Sequence, residues 1–225
     1  MNMRYFHNAD CMLHLPNYED NYFDLAIVDP PYFLPAKHYQ TRKSFARNFS
    51  DLGILEYFFR GFFEQIERVL KQTGSFYIFC DGQSYPLFYY YSYFFTKNVR
   101  PIIWDKMVSI NGFGWRHQHE LILWGEMPEA LKIPTGDGDI IKERAVKVDD
   151  RSHPAEKPKE LIHKLIEKGC PENGIVLDPF VGSGTTLIAC EDMGFDYVGY
   201  EIDKDYYRDA TKRLDNYRKQ LKLAI

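Results

Sequence analysis

Asp29-Pro30-Pro31-Tyr32 places an acid, two prolines and an aromatic directly after the short apolar run Leu25-Ala26-Ile27-Val28. A carboxylate can accept hydrogen bonds, and a tyrosine ring can stack on a flat group. The apolar run reads as a buried strand. Neither proline has an N–H to donate to a sheet ladder, so the strand must end there and leave Asp29 and Tyr32 at its mouth. In an open α/β sheet that mouth is where ligands bind. A strand closing in a rigid turn, with the tyrosine packing locally, is the other reading of these four letters alone.

A second cluster lies far downstream. Gly174 to Asp178 reads as a strand, Pro179-Phe180-Val181-Gly182-Ser183-Gly184 as a glycine-rich turn, Thr185 onward as a helix, and Tyr197 to Glu201 as a second strand ending in an acid. Gly182 and Gly184 let the backbone turn sharply and approach a ligand, while the N–H groups opening the helix favour a negative group such as a carboxylate. Glu201 stands seventeen residues beyond Gly184, placed to accept hydrogen bonds from ribose hydroxyls as the acid does in dinucleotide sites. A phosphate-cradling NTPase loop competes for the same letters but would need a lysine before its Ser/Thr, which is absent. A plain structural glycine turn is the remaining alternative. The pairing with Glu201 favours a nucleoside cofactor.

With these two motifs in this order, the chain resembles the S-adenosylmethionine-dependent amino-methyltransferases of DNA. The resemblance is to their permuted group, in which the Asp-Pro-Pro-Tyr half precedes the cofactor half. It also takes in His153-Pro154-Ala155-Glu156-Lys157-Pro158 before the cofactor strand and Asn8-Ala9-Asp10-Cys11 near the start, and so spans most of the chain. It implies an α/β, Rossmann-like methyltransferase fold: a mostly parallel seven-stranded sheet with helices on both faces, circularly permuted. The cofactor implied is S-adenosylmethionine, bound by Asp10, Asp29, Lys157, Asp178, Phe180, Gly182, Ser183, Gly184, Thr185 and Glu201. Ala9 stands where the family usually has glycine, and Ala155-Glu156 where Thr-Gln is commoner. Asp10 could equally be an ordinary helix N-cap.

The resemblance makes the target an exocyclic base amine, a poor nucleophile because its lone pair is conjugated into the ring. Asp29 and the carbonyl of Pro30 could each accept one amine hydrogen and hold the lone pair towards the donor methyl. Together with Tyr32 they are the expected catalytic residues. Enzymes acting on cytosine N4 more often start this motif with serine, and those acting on protein glutamine start it with asparagine, so Asp29 points to adenine N6 in double-stranded DNA. Cytosine N4 methylation is the alternative within the class. A non-catalytic cofactor-binding or nucleic-acid-binding subunit of a larger modification complex is the alternative outside it.

The rest of the chain must position these groups. Its 225 residues, 45% of them hydrophobic, can bury a sizeable core and suit one domain spanning 1–225. A net charge of −4 argues against a uniformly basic nucleic-acid coat, though the placement of positive charge matters more. The run Phe33 to Asn48 has four basic residues, Lys37, Arg42, Lys43 and Arg47, with interleaved aromatics and no acid. Its attachment to the Asp29 turn favours contact with a phosphate backbone over a merely solvated loop. Cys11, Cys80, Cys170 and Cys190 form no Cys-x-x-Cys pair and read as reduced thiols of a cytoplasmic protein. His117-Gln118-His119 lacks a carboxylate or thiol partner at ligand spacing, so no metal is expected. No run suggests a signal peptide or a membrane span.

Periodicity predicts helices over Asp51 to Gln72, with Leu55, Phe59, Phe62, Ile66 and Val69 on one face, over Lys159 to Lys168, and over Asp203 to Leu221. Strands are expected at Tyr5-Phe6, at Ser75 to Asp81, at Pro101 to Asp105 and at His119 to Gly125. The aromatic stretch Leu87 to Phe95, opened by Pro86, reads as a core helix rather than a stacking platform. Residues 126–152 are the least regular and occupy the place of the family's target-recognition segment. A homodimer would enlarge a DNA-contact surface that is small for one chain. A companion restriction endonuclease is a partner on which the sequence is silent.

Overall fold

The computed structural model describes residues 3–30, 52–108, 114–132, 136–146 and 156–223. Pro31, Tyr32, the basic positions Lys37, Arg42, Lys43 and Arg47, and His153 to Ala155 lie outside the described residues.

In chain order the elements are β1 (Arg4–Asn8), α1 (Cys11–His14), a 3₁₀ turn (Leu15–Asn17), β2 (Phe23–Val28), α2 (Leu52–Val69), β3 (Leu70–Cys80), α3 (Tyr85–Tyr93), β4 (Asn98–Asp105), β5 (His119–Glu126) and β6 (Ile140–Lys142). There follow α4 (Lys159–Gly169), β7 (Ile175–Asp178), α5 (Thr185–Met193), β8 (Asp196–Glu201) and α6 (Lys204–Leu223). The described strands form one sheet in the order β1-β8-β7-β2-β3-β5-β4-β6. Strand β5 runs antiparallel to β3 and β4, and every other described pairing is parallel.

Both faces of the sheet are covered, which explains why the central strands are apolar at successive positions. Along β2 and β3, Ala26, Val28, Phe76 and Ile78 pack with Phe59, Phe62, Phe63 and Ile66 of α2 and Phe88 of α3. The alternate residues Leu25, Ile27, Tyr77 and Phe79 pack on the other face with Leu161, Leu165 and Ile166 of α4, Leu187 and Ile188 of α5, and Ala210 and Leu214 of α6. Side chains of a strand alternate between faces, so each helical stripe meets one parity of the strand residues.

The α/β architecture matches expectation, and three details differ from it. The described sheet has eight strands instead of seven, because Ile140–Lys142 pairs in parallel with Ile103 to Asp105 at the sheet edge. Helix α2 stops at Val69 and the next strand starts at once at Leu70, so Gly74 lies inside β3. The aromatic helix α3 is only half core: Phe88 is buried, whereas Tyr90, Tyr93 and Phe94 are exposed. Asp81 is a turn residue whose carboxylate accepts the N–H groups of Gln83 and Ser84 and the Ser84 hydroxyl.

Candidate active site

Strands β2 and β7 are neighbours, with Leu25 opposite Val176 and Ala26 opposite Leu177. From β2 the chain proceeds through α2 on one face to β3, and from β7 through α5 on the other face to β8. The two connections diverge, so a crevice opens at the carboxyl ends of this pair, the switch point of an open α/β sheet. Asp29 follows the last residue of β2, and Asp178 is the last residue of β7.

On the β2 side, Asp29 is held by a lysine from a distant part of the chain. Lys157 Nζ lies 2.9 Å from Asp29 Oδ2 and 3.0 Å from Glu120 Oε1, and 4.7 Å above the Phe79 ring. Pro158, in an extended conformation, opens α4 directly after it, and the docking of that helix through Leu161, Ile162 and Leu165 fixes where the lysine stands. The second oxygen of Glu120 meets Lys106 Nζ at 2.8 Å, and that ammonium lies 5.1 Å above the Trp104 ring. Burial alone would push the Lys157 ammonium down, but Asp29 and Glu120 outweigh it and hold the group above the ordinary lysine range. Glu120 is pushed up by burial and pulled down further by Lys157 and Lys106, so it stays ionised.

On the β7 side the turn is built from glycine and from Glu201. Gly182 and Gly184 have φ of 52° and 84°, the left-handed region that side chains rarely adopt. The Gly182 N–H donates to Glu201 Oε2 at 2.9 Å, and the Asp203 N–H donates to the other oxygen at 2.8 Å. Each carboxylate oxygen carries a second lone pair for a further donor. Ser183 and Thr185 hydroxyls lie 3.0 Å apart, and Arg213 from α6 donates to the Ser183 carbonyl at 2.9 Å while pairing with Glu156. Asp10 caps α1 through the Met12 N–H at 2.9 Å, and it also lines a small pocket with Ala9, Phe58, Phe180 and Glu201. The N-cap reading of Asp10 is thus met, and its place in that pocket leaves it within the region expected to take the cofactor.

The electrostatics of this side point to a positive ligand. Asp178 is 4% exposed, and its carboxyl is pushed up to about 7, by burial first and then by the neighbouring charges of Asp29 and Glu201. The Thr186 hydroxyl and the Phe180 N–H, the latter at 3.0 Å, offset part of that rise. Glu201 is also pushed up, chiefly by burial. Carboxylates that raise one another in a crevice are relieved by a bound cation. S-adenosylmethionine, with its sulfonium and amino groups, fits that requirement.

The expected residues Asp10, Asp29, Asp178, Phe180, Gly182, Ser183, Gly184, Thr185 and Glu201 thus gather at one edge of the sheet. Lys157 stands on the Asp29 side. Glu120, Lys106, Glu156 and Arg213 complete the arrangement without having been singled out individually. An acid among the apolar residues of the strand His119–Glu126 was the available signal for Glu120; the sequence offers none for Lys106 or for the Glu156–Arg213 pair.

A model of the DNA methylase family matches residues 23–212. The chain belongs to that family. The methylase is an S-adenosylmethionine-dependent amino-methyltransferase of the N6/N4 type. The Type II methyltransferase M.HinfI of Haemophilus influenzae is 27% identical over 243 residues, covering 92% of this chain and 67% of that protein. M.HpaI of Haemophilus parainfluenzae is 28% identical over 230 residues, covering 90% and 71%. Among solved structures, the cytosine-N4-specific PvuII DNA methyltransferase matches with a TM-score of 0.75 at 14% identity, covering 98% of this chain and 92% of that one. The M1.HpyAVI–SAM complex matches with a TM-score of 0.68 at 23% identity, covering 94% and 100%. At these identities the structural likeness is one of fold. Among the described residues of the methylase, no helix is long and apolar enough to cross a membrane, and no group of His, Cys, Asp and Glu is placed to hold a metal ion.

Proposed function

We propose that the methylase transfers the methyl group of S-adenosylmethionine to the N6 amine of an adenine flipped out of duplex DNA. The observation that carries this reading is Asp29 at the switch-point crevice, held by Lys157 beside Asp178 and Glu201. In the resembled enzymes an aspartate at this position accompanies adenine more often than cytosine.

S-adenosylmethionine, when bound, supplies an electrophilic methyl group on a positive sulfur. Asp178, with the turn at Gly182, Ser183, Gly184 and Thr185, receives its methionine end, and Glu201 accepts hydrogen bonds from its ribose. Asp10 and Phe180 border the adenine end. On the other side, the Asp29 carboxylate and the Pro30 carbonyl each accept a hydrogen of the target amine, which turns the nitrogen lone pair out of conjugation and towards the methyl. The N–C bond forms as the S–C bond breaks, its electron pair staying on sulfur. A carboxylate, with an ordinary pKa of about 3.9, is too weak a base to take a proton from a neutral amine, so the proton leaves after transfer, when the nitrogen is cationic. Lys157 keeps its own proton throughout and cannot serve as the base.

Extruding the base costs a few kcal/mol. Stacking on Tyr32, at about 1 to 3 kcal/mol, together with the amine hydrogen bonds offsets that cost. Lys37, Arg42, Lys43 and Arg47 contact the phosphate backbone in this reading, and residues 126–152 contribute to target recognition. The domain then spans 1–225.

Incubation with methyl-labelled S-adenosylmethionine and unmethylated duplex DNA, followed by digestion to nucleosides and mass spectrometry, tests the proposal. Label in N6-methyldeoxyadenosine is expected. Label in N4-methyldeoxycytidine would replace the target base, and cofactor binding without label in any base would favour a non-catalytic subunit.

A further inference from the structure

Four charged side chains form a row that starts at the crevice, with its two middle members the more buried: Asp29, Lys157, Glu120 and Lys106, with successive contacts of 2.9, 3.0 and 2.8 Å. They come from the end of β2, the residue before Pro158 at the head of α4, the start of β5 and the loop after β4. The signs alternate and sum to zero. The rings of Phe79 and Trp104 lie against the two ammonium groups at 4.7 and 5.1 Å, and Lys157 is the more buried of the two. Lys157 stands at nearly equal distances from two carboxylates, so its attraction is divided between them.

Glu120 is partly buried between two ammonium groups, and the hydration its carboxylate loses is offset by those partners. Its place is therefore accounted for by charge and not by apolar packing of the strand, and through Lys157 that charge reaches Asp29. With Glu120 removed, the attraction of Lys157 would no longer be shared with it and the Lys106 charge beyond would lose that partner, so the negative potential that Asp29 presents to an amine becoming cationic would fall. We infer that Glu120 is a positioning residue for methyl transfer, which by sharing Lys157 keeps the Asp29 carboxylate effective towards the target amine. The inference rests on the methyl-transfer reading above and adds to it a residue remote from the expected motifs.

Steady-state kinetics on duplex DNA with the full chain test it. Glu120→Gln keeps the shape and loses the charge; Glu120→Asp keeps the charge and shortens the side chain. Loss of a charged partner is expected to lower kcat about 10- to 100-fold in Glu120→Gln, with KM for DNA and the affinity for S-adenosylmethionine within about threefold. Glu120→Asp is expected to keep a kcat at least about fivefold above that of Glu120→Gln. Adding Lys106→Met to Glu120→Gln removes the surplus positive charge and is expected to recover kcat about fivefold or more. A purely structural role predicts the opposite order, the isosteric glutamine being the milder change, and losses that add in the double variant; either result would overturn the inference. A wild-type protein that binds cofactor and methylates no base would overturn the methyl-transfer reading and this inference with it.

Discussion

The two sides of the crevice use the same side-chain chemistry to opposite ends. On the β7 side, Asp178 lies near Glu201 and Asp29, and its carboxyl is pushed up to about 7. On the β2 side, Asp29 and Glu120 are interleaved with Lys157 and Lys106, and Glu120 is pulled below the ordinary range in spite of its partial burial. Asp178 is raised by its neighbours Asp29 and Glu201, whereas Asp29 and Glu120 are each paired with an ammonium group. A carboxylate's role is set by what stands beside it: an unmatched group receives a charged ligand, and a matched one is held ready as a hydrogen-bond acceptor.

Three changes would break or sharpen that contrast. Of these three, the largest effect is expected from Tyr32, the ring proposed to stack on the base. Tyr32→Ala should lower kcat/KM about 100-fold, since stacking contributes about 1 to 3 kcal/mol per base, whereas Tyr32→Phe should stay within about threefold. Equal losses in steady-state assays of the two variants would remove stacking from the account. On the β7 side, Glu201→Ala should weaken S-adenosylmethionine binding about 30-fold by calorimetry, as expected for lost hydrogen bonds to a charged group. It should leave the single-turnover rate at saturating cofactor nearly unchanged. A large fall in that rate with intact affinity would assign Glu201 to the wrong half.

The smallest effect is the pH dependence of the same binding. Asp178 holds its proton up to about 7 in the folded chain, against about 3.9 in an unfolded one. Its contribution to stability is therefore fully present below about 3.9 and is lost as pH rises through about 7. A cation binds the ionised form, so affinity for S-adenosylmethionine should rise about tenfold from pH 6 to pH 8. Asp178→Asn should flatten that slope. A wild-type affinity independent of pH would mean that Asp178 does not face the cofactor.

What the sequence made legible follows the same division. The β7 side is mostly local: strand, glycine turn, helix and acid-ended strand lie between Gly174 and Glu201, so spacing locates those elements, while Arg213 and Glu156 reach the turn through tertiary packing. The β2 side is assembled from Asp29, Lys106, Glu120 and Lys157, up to 128 residues apart, and its ion pairs come from tertiary packing that no short-range pattern encodes. Boundaries failed where two patterns overlapped. The apolar period of α2 runs on into Leu70, which is the first residue of β3. Strand β6 escaped notice because three residues are too few for alternation to register, and its pairing with β4 is made by the backbone. The helical spacing of the α3 aromatics predicts core, yet a helix on one face of a sheet can bury only one stripe.

The central claim, that one side gathers the cofactor while the other acts on the amine, is tested most directly on Asp29→Asn. Cofactor affinity by calorimetry and methyl transfer in a single turnover would be measured on the same protein. The account predicts an affinity within about tenfold of wild type and a transfer rate lowered by about 1,000-fold, the scale of losing a preorganised acceptor at the reacting group. Transfer near the wild-type rate, or a loss of transfer fully matched by a loss of cofactor binding, would contradict it.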